Sequence, residues 1–394
     1  MKEETLSTQE FDITEKPTHH YFQIDLLKAV MIFLVIFDHT YPWALKDYMG
    51  VALWERISIP VFLFIMGFNM GLSFKQTGET SLKKLYSWDY FKKKFWRFIF
   101  PFLILYLISS IIGLIIYDFD FEAMWYGQHF DILYGRWRWD VIHLVIGILP
   151  FYGPGNWFLP VVFYSILIMP LLYKCFSGKQ VWRITALVLC YVVELSINLT
   201  IRFILIPNVS STSEFYLYYR FIITTPFFML SAIGLGLWFS KDHRLFSKQN
   251  LFIWLLFPLS LIYLIFYQFF HLRVGVVFGD YNFFVFPYSA FLVLFALNIL
   301  PKKVNTNNFF VKGINIISKS TYHILLTQML YFGIVISLWG HHYGASIIGI
   351  TFLYDPLVVF QYLLINWIIC IPIGTLWWHG ENRVRKYRLA RKKL

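Results

Sequence analysis

Residues 24–43 read IDLLKAVMIFLVIFDHTYPW, an apolar stretch long enough to cross a bilayer that nevertheless carries Asp25, Lys28, Asp38 and His39. Ionisable side chains at such depth are costly and are retained mainly where they face a bundle interior or a wet cavity. Lys28 and His39 are eleven residues apart. At about 100° and 1.5 Å per residue they point the same way, separated along the axis by roughly 16 Å. Asp25 falls within about 60° of the same stripe, whereas Asp38 points about 100° from His39. The stretch therefore reads as a membrane helix with one polar face, the signature of an inner helix of a polytopic bundle.

The rest of the chain repeats the apolar theme without the charges. Of 394 residues, 58% are hydrophobic, 21% aromatic and only 14% charged, which excludes an ordinary soluble enzyme. Apolar runs recur near 51–74, 98–118, 156–173, 184–205, 218–239, 251–270, 281–300, 314–337 and 355–378, with a shorter piece at 141–152. Together with the first run they predict an all-α membrane bundle of about ten transmembrane helices. The expected organisation is a tail over 1–23, one transmembrane domain over 24–378 and a basic tail over 379–394, with no linker or internal repeat. The first twenty residues are polar and contain no apolar run of the kind a signal peptide needs.

Lysines and arginines crowd both tails and the connections 75–97, 174–183, 241–248 and 302–312, while the alternate connections hold little beyond Lys46, Arg136, Arg138, Arg202, Arg220 and Arg273. This bias predicts both termini on the cytoplasmic side of a multi-pass cell membrane protein. Topology and attraction to anionic lipid also account for the net charge of +12, leaving no reason to invoke nucleic acid. Cys175, Cys190 and Cys370 are too scattered for a disulfide framework or thiolate cluster. His341-His342 lacks further ligands at metal spacing, so no metal is expected.

Several motifs, taken in order, resemble the acyltransferase-3 family of integral membrane enzymes that acylate surface or cell-wall carbohydrates. Lys28-x10-His39 is similar to the family's R-x10-H signature. Arg56 to Phe62 (RISIPVF) with Gly67 looks like its second helix, and KKKFWRFIFP (Lys92 to Pro101) like the basic segment opening the third. NWFLPVVFYSILIMP (Asn156 to Pro170) resembles its WFL…P helix, STYHILLTQM (Ser320 to Met329) its late SYEIYLxH helix, and Glu381-Asn382-Arg383 its E-x-P tail. The chain departs from the pattern at Lys28 for arginine, Met66 for the serine before Gly67, and Gln328 for histidine. Lysine offers a point charge in place of a bidentate fork, and the glutamine makes the late helix a poor catalytic contributor.

The resemblance implies transfer of an acyl group, most plausibly acetyl, from acyl-coenzyme A to a hydroxyl of a surface or lipid-linked carbohydrate, with the thioester a co-substrate and no cofactor. Such chemistry needs a base near neutral pH and cationic or hydrogen-bonding groups for the oxyanion. His39 suits the base, its imidazole titrating near pH 6.5 in the absence of perturbation, and Lys28 the electrostatic partner. Lys93, Lys94 and Arg97 are the candidates for the donor's phosphates. PFYGPGNWF (Pro150 to Phe158), broken by proline and two glycines, reads as a re-entrant piece that puts Asn156 and Trp157 at the acceptor. His143 begins the apolar piece before it and is a weaker candidate. His323 and Thr327 share a face and read as a helix–helix hydrogen bond. Arg56 beside Glu55 reads as an intrahelical or interfacial pair.

Two other classes compete. A transporter or exporter of a polysaccharide or lipid-linked precursor would also carry midplane charges and broken helices, but should show two related halves. A receptor or scaffold would use the Lys28–His39 stripe only for packing.

Overall fold

The computed structural model describes residues 21–120, 141–208, 224, 227, 229–272, 274, 281–301, 304–339 and 355–391. Among these residues there is no strand. Each apolar run carries a helix: α1 (Phe22–Thr40), α2 (Ser58–Thr77), α3 (Phe100–Ile116), α4 (Phe158–Ser177), α5 (Gln180–Thr200), α6 (Leu230–Phe239), α7 (Phe252–Phe270), α8 (Phe286–Ile299), α9 (Phe309–Trp339) and α10 (Pro356–Arg391). Seven helical stretches of the described chain are long and apolar enough to cross a membrane. They contain α2, α3, α4, α5, α7, α9 and α10, whereas α6 and α8 are shorter apolar helices. The fold is an all-α polytopic membrane bundle.

α1 lies at its centre, packed on α2, α8, α9 and α10. Ile32, Val35, Ile36 and Phe37 are buried and Val30 is its one strongly exposed aliphatic side chain. Polar contacts fix its axial position. Near its start Ser318 Oγ of α9 donates to Asp25 at 2.5 Å. Near its end Asn366 of α10 donates to Thr40 Oγ1 at 2.9 Å and the Trp367 indole donates to the Phe33 carbonyl at 3.2 Å. The outward faces of α3, α5 and α7 present Leu107, Ile111, Val188, Leu189, Leu255 and Phe266. Such faces suit lipid, in which apolar exposure costs nothing.

α2 and α6 approach most closely. Gly67 and Gly71 on α2 are spaced four apart, and a Cβ on either would collide with α6, at the Ile233 carbonyl or the Ser240 side chain. Gly236 answers from α6, where a Cβ would strike the Phe64 carbonyl. This is small-residue packing, which lets two helix backbones touch when lipid supplies no hydrophobic drive.

The sequence reading treated 75–97 as a connection. Instead the chain folds into helices Leu82–Leu85 and Trp88–Lys94, then a π-helical turn over Phe95–Ile99 that runs directly into α3. Tyr86 and Tyr90 tie this segment to α4, their hydroxyls donating to the carbonyls of Leu167 at 2.6 Å and Ile166 at 2.7 Å. The run Lys92 to Lys94 thus belongs to a helical stretch that runs without a break from Trp88 to Ile116. At the other end of the chain α10 continues past residue 378 without a break to Arg391. The turn between α6 and α7 is pinned by Asp242, which accepts from the Arg244 side chain at 2.9 and 2.8 Å and from Ser247 at 2.7 Å. The bonded Arg244 guanidinium holds the Asp242 carboxyl well below the usual carboxylate range.

Candidate functional site

A chamber of about 1510 Å³ lies between α1, α2, the Trp88–Ile99 segment, α3, α4, α9 and α10. Its walls collect Lys28, Lys93, Lys94 and Arg97, four of the residues singled out from the sequence, together with Lys92, Lys319 and Arg385. Only Asp89 and Glu381 oppose them among its lining carboxylates. The rest of the lining is largely apolar, through Ile59, Phe62 and Met66 of α2 and Val162 and Met169 of α4, and toward His39 it ends at Ile32, Phe158 and Leu325. Met66, where the family pattern has serine, is part of that apolar wall.

Each cation is held differently. Lys28, 18% exposed at its side chain, stands 3.9 Å from Asp25 and donates to Ser318 Oγ at 3.4 Å, so it is steadied from α1 and α9 together. Lys94 folds back, its Nζ 2.7 Å from Met70 Sδ and within 5.7 Å of the Tyr90 and Phe98 rings. Arg97 lies over Phe98 at 5.1 Å. The π-helical turn that carries Arg97 is fastened by Tyr322, which donates to the Phe98 carbonyl at 2.9 Å, and by Arg385, which donates to the Trp96 carbonyl at 2.8 Å. Such turns add a residue to the helix and re-aim its side chains. Lys92 and Lys93 are exposed where they line the chamber.

His39 does not line this chamber. Its side chain is 8% exposed and sits beyond that end. Leu325 lines the chamber and Gln328, three residues or roughly 4.5 Å further along α9, meets the histidine. The Gln328 amide lies at His39 Nδ1, with Oε1 at 3.3 Å and Nε2 at 3.0 Å, so either the oxygen accepts from Nδ1–H or the amide donates to a bare Nδ1. Gln328, which made the late helix a doubtful catalytic contributor, thus sits in contact with His39. Glutamine can do what a second imidazole would have done, fixing the tautomer and plane of His39, because its amide offers both a donor and an acceptor.

Asp38 is brought closer to His39 than its helical angle suggested, with Oδ2 3.8 Å from Nε2. The reason is Lys46. This residue, read from the sequence as an outer-loop cation, is 2% exposed. Its Nζ donates to both the carboxylate and the carbonyl of Asp38. The turn at Pro42 folds helix Trp43–Tyr48 back so that its lysine reaches α1.

The broken segment completes the pocket. Gly153 N–H donates to the Met329 carbonyl at 2.7 Å. Gly155 has φ +97°, and a Cβ there would stand 3.2 Å from His39 Cε1, so only glycine supplies both the backbone conformation and the room. Asn156, 2% exposed, accepts from Leu149 N–H at 3.2 Å, and its Nδ2 is buried without a partner. Trp157 stacks on Tyr281 at 5.8 Å. Neither residue lines the chamber. The predicted site residues thus divide into a cationic chamber holding Lys28, Lys93, Lys94 and Arg97, and a tight pocket where Gly155 of the Asn156–Trp157 segment meets His39.

His323 reaches the next helix, its Nε2 3.2 Å from Glu381 Oε2 of α10, and also lies on the chamber wall, while buried Thr327 Oγ1 has no hydrogen-bond partner. The matching of Glu381 to the family's tail motif was the available signal for a functional carboxylate there. Glu55 and Arg56 form a pair at 3.9 Å, both buried. The side chain of His143, together with His341, His342, Arg136, Arg138, Arg220 and Arg273, lies outside the described residues. Among the described residues no group of three or more His, Cys, Asp or Glu side chains could hold a metal ion.

An inner helix with a cation and an imidazole on one face, backed by a basic helical turn and a broken WFL segment, is the arrangement the family resemblance implied. The chain matches the family described as Acyltransferase domain (acyltransferase-3) over residues 21–377. The chain belongs to the acyltransferase-3 family. No curated protein and no solved structure matches it significantly. As an acyltransferase-3 protein with long apolar helices it is a membrane acyltransferase.

Proposed function

We propose that this acyltransferase-3 protein moves an acyl group, acetyl in the simplest case, from acyl-coenzyme A to a carbohydrate hydroxyl of a surface or lipid-linked glycan at the cell membrane. The observation that carries this reading is the chamber itself, which joins a cluster of lysines and arginines to an apolar wall on the same helix that carries a buried histidine. A donor with several phosphates and a slim thioester arm matches that pairing, with Lys93, Lys94 and Arg97 for the phosphates and Lys28 for the thioester oxygen as it becomes an oxyanion.

His39 takes the hydroxyl proton as the acceptor oxygen attacks the thioester carbon. Asp38, at 3.8 Å, stabilises the imidazolium so formed, and Gln328 keeps the ring in plane. Asn156, with its spare buried N–H, and Trp157, through its ring face, are suited to a sugar. The reading requires the end at Ile32, Phe158 and Leu325 to open toward His39 when both substrates are present, because the hydroxyl proton has to come within hydrogen-bond reach of His39.

Two measurements test it. Coenzyme A should bind the purified protein, and envelope glycans from cells lacking the gene should lose the mass of one acyl group. Wild-type transfer by a folded His39→Ala protein would remove His39 from the mechanism, and failure to bind coenzyme A would remove the donor.

A further inference from the structure

The mechanism above leaves one buried titratable pair unused. His323 is 6% exposed, lines the chamber with Lys28 and Arg97, and is the one histidine on that wall among the described residues. Glu381 Oε2 stands 3.2 Å from its Nε2 and is itself fixed by the Trp377 indole, which donates to Oε1 at 2.7 Å. Trp377 also packs edge-on against the imidazole, 5.3 Å between centroids. Both ring nitrogens are buried and neither has a hydrogen bond, Nε2 meeting Glu381 only as an ion-pair contact and Nδ1 meeting no polar group. A buried polar atom left unmatched is expensive. Here it belongs to a ring already oriented by a carboxylate, the arrangement that prepares a histidine to hold a proton on one nitrogen and pass one at the other.

Acyl transfer from a thioester needs two proton movements, and they occur at different atoms. The acceptor hydroxyl loses a proton, and the departing sulfur gains one. His39 lies outside the chamber and His323 lies on its wall, where the donor would sit. We propose that His323, held by Glu381, is the general acid that protonates the sulfur of the leaving coenzyme, as the counterpart of His39; this rests on the reading of the donor as an acyl-coenzyme A. The acceptor oxygen bonds to the carbonyl carbon and its proton passes to His39. The carbon–sulfur bond then breaks, the sulfur leaves with the electron pair, and it takes a ring proton of the His323 imidazolium. His39 returns one proton to water and His323 recovers one, so no further reactant is consumed.

The test exploits the leaving group. An alkyl thiol with a pKa near 8.5 benefits from protonation as it departs, whereas an acidic aryl thiol leaves as the anion unaided. The full chain in nanodiscs would be given acetyl-coenzyme A or an acetyl aryl thioester, with an envelope glycan extract as acceptor, and free thiol would be measured. His323→Gln is expected to slow release from acetyl-coenzyme A by roughly 10²-fold while changing release from the aryl thioester only a few-fold. Coenzyme A binding should persist. Glu381→Gln should show the same asymmetry with a smaller loss, and it decides the matter if His323→Gln does not fold. Equal losses on both donors, or no loss on either, would overturn the role of His323 while leaving the proposed reaction in place. A wild-type protein that neither binds coenzyme A nor releases thiol would overturn both.

Discussion

The two ends of α1 solve opposite problems. Around Lys28 the structure gathers like charges about an open volume, with Lys92, Lys93, Lys94, Arg97, Lys319 and Arg385 facing two carboxylates. Around His39 it does the reverse, neutralising each charge locally and filling the space. Lys46 lies on Asp38, Gln328 on the imidazole, and Gly155 leaves no room for a Cβ. An unbalanced cluster of cations is costly to the fold and is relieved by an anionic ligand. A balanced, close-packed pocket holds a side chain in one geometry. Under the proposed function the first end binds and the second positions.

That contrast can be broken by experiment. The largest expected effect is at the positioning end, where His39→Ala should cut the turnover number by roughly 10²–10⁴-fold with little change in coenzyme A affinity. Loss of affinity with turnover intact would invert the assignment of the two ends. Lys46→Met would strand a buried carboxylate and is expected to cost about 3–5 kcal/mol of stability in denaturation. Most of that loss should return in the Asp38→Asn, Lys46→Met double variant, and additive losses would deny the coupling. Gly67→Ala, on the wall behind the chamber, should cost about 1–3 kcal/mol through forced separation of α2 and α6, visible as a lower Tm with coenzyme A binding retained once folded.

At the binding end the effects are smaller and depend on salt. Arg97→Ala should weaken coenzyme A binding by about tenfold at low ionic strength and by less at 0.5 M salt, since exposed charges are screened over about 10 Å at 0.1 M. A salt-independent loss would mean that Arg97 acts through packing. The smallest effect belongs to Asp242, remote from both ends. Its carboxyl is held low in the folded state by Arg244, so its contribution is complete above the unfolded carboxylate pKa of about 4 and fades as pH falls through the folded value. Asp242→Asn should therefore lower Tm slightly at pH 7, and the gap from wild type should close in acid. A gap that widens in acid would reverse the sign.

The binding end was largely legible in the sequence, because its signals are local. The spacing of Lys28 along one helix and the run Lys92–Arg97 can be read without knowing what packs on what, and each helical run announced itself by hydropathy. The positioning end was legible at His39 and at the broken segment beside it, but not in its polar partners. Its partners come from 289 residues away, in Gln328, and from a turn whose direction no pattern specifies, in Lys46. Substitution of an expected histidine by Gln328 argued against that helix, yet an amide and an imidazole offer the same pair of hydrogen-bonding roles. His323 was read only as a contact between helices; that its partner is a carboxylate, Glu381 of the next helix, is a matter of packing that helical spacing does not show.

The glycine seam between α2 and α6 has a mechanical consequence. α2 supplies one side of the chamber through Ile59, Phe62 and Met66 while its other side is pressed, backbone to backbone, on α6. A rod clamped along its back cannot swing. The opposite wall is braced in another way, since the π-helical turn at Phe95–Ile99 that carries Arg97 interrupts the regular ladder just before α3 and is held by side chains of α9 and α10.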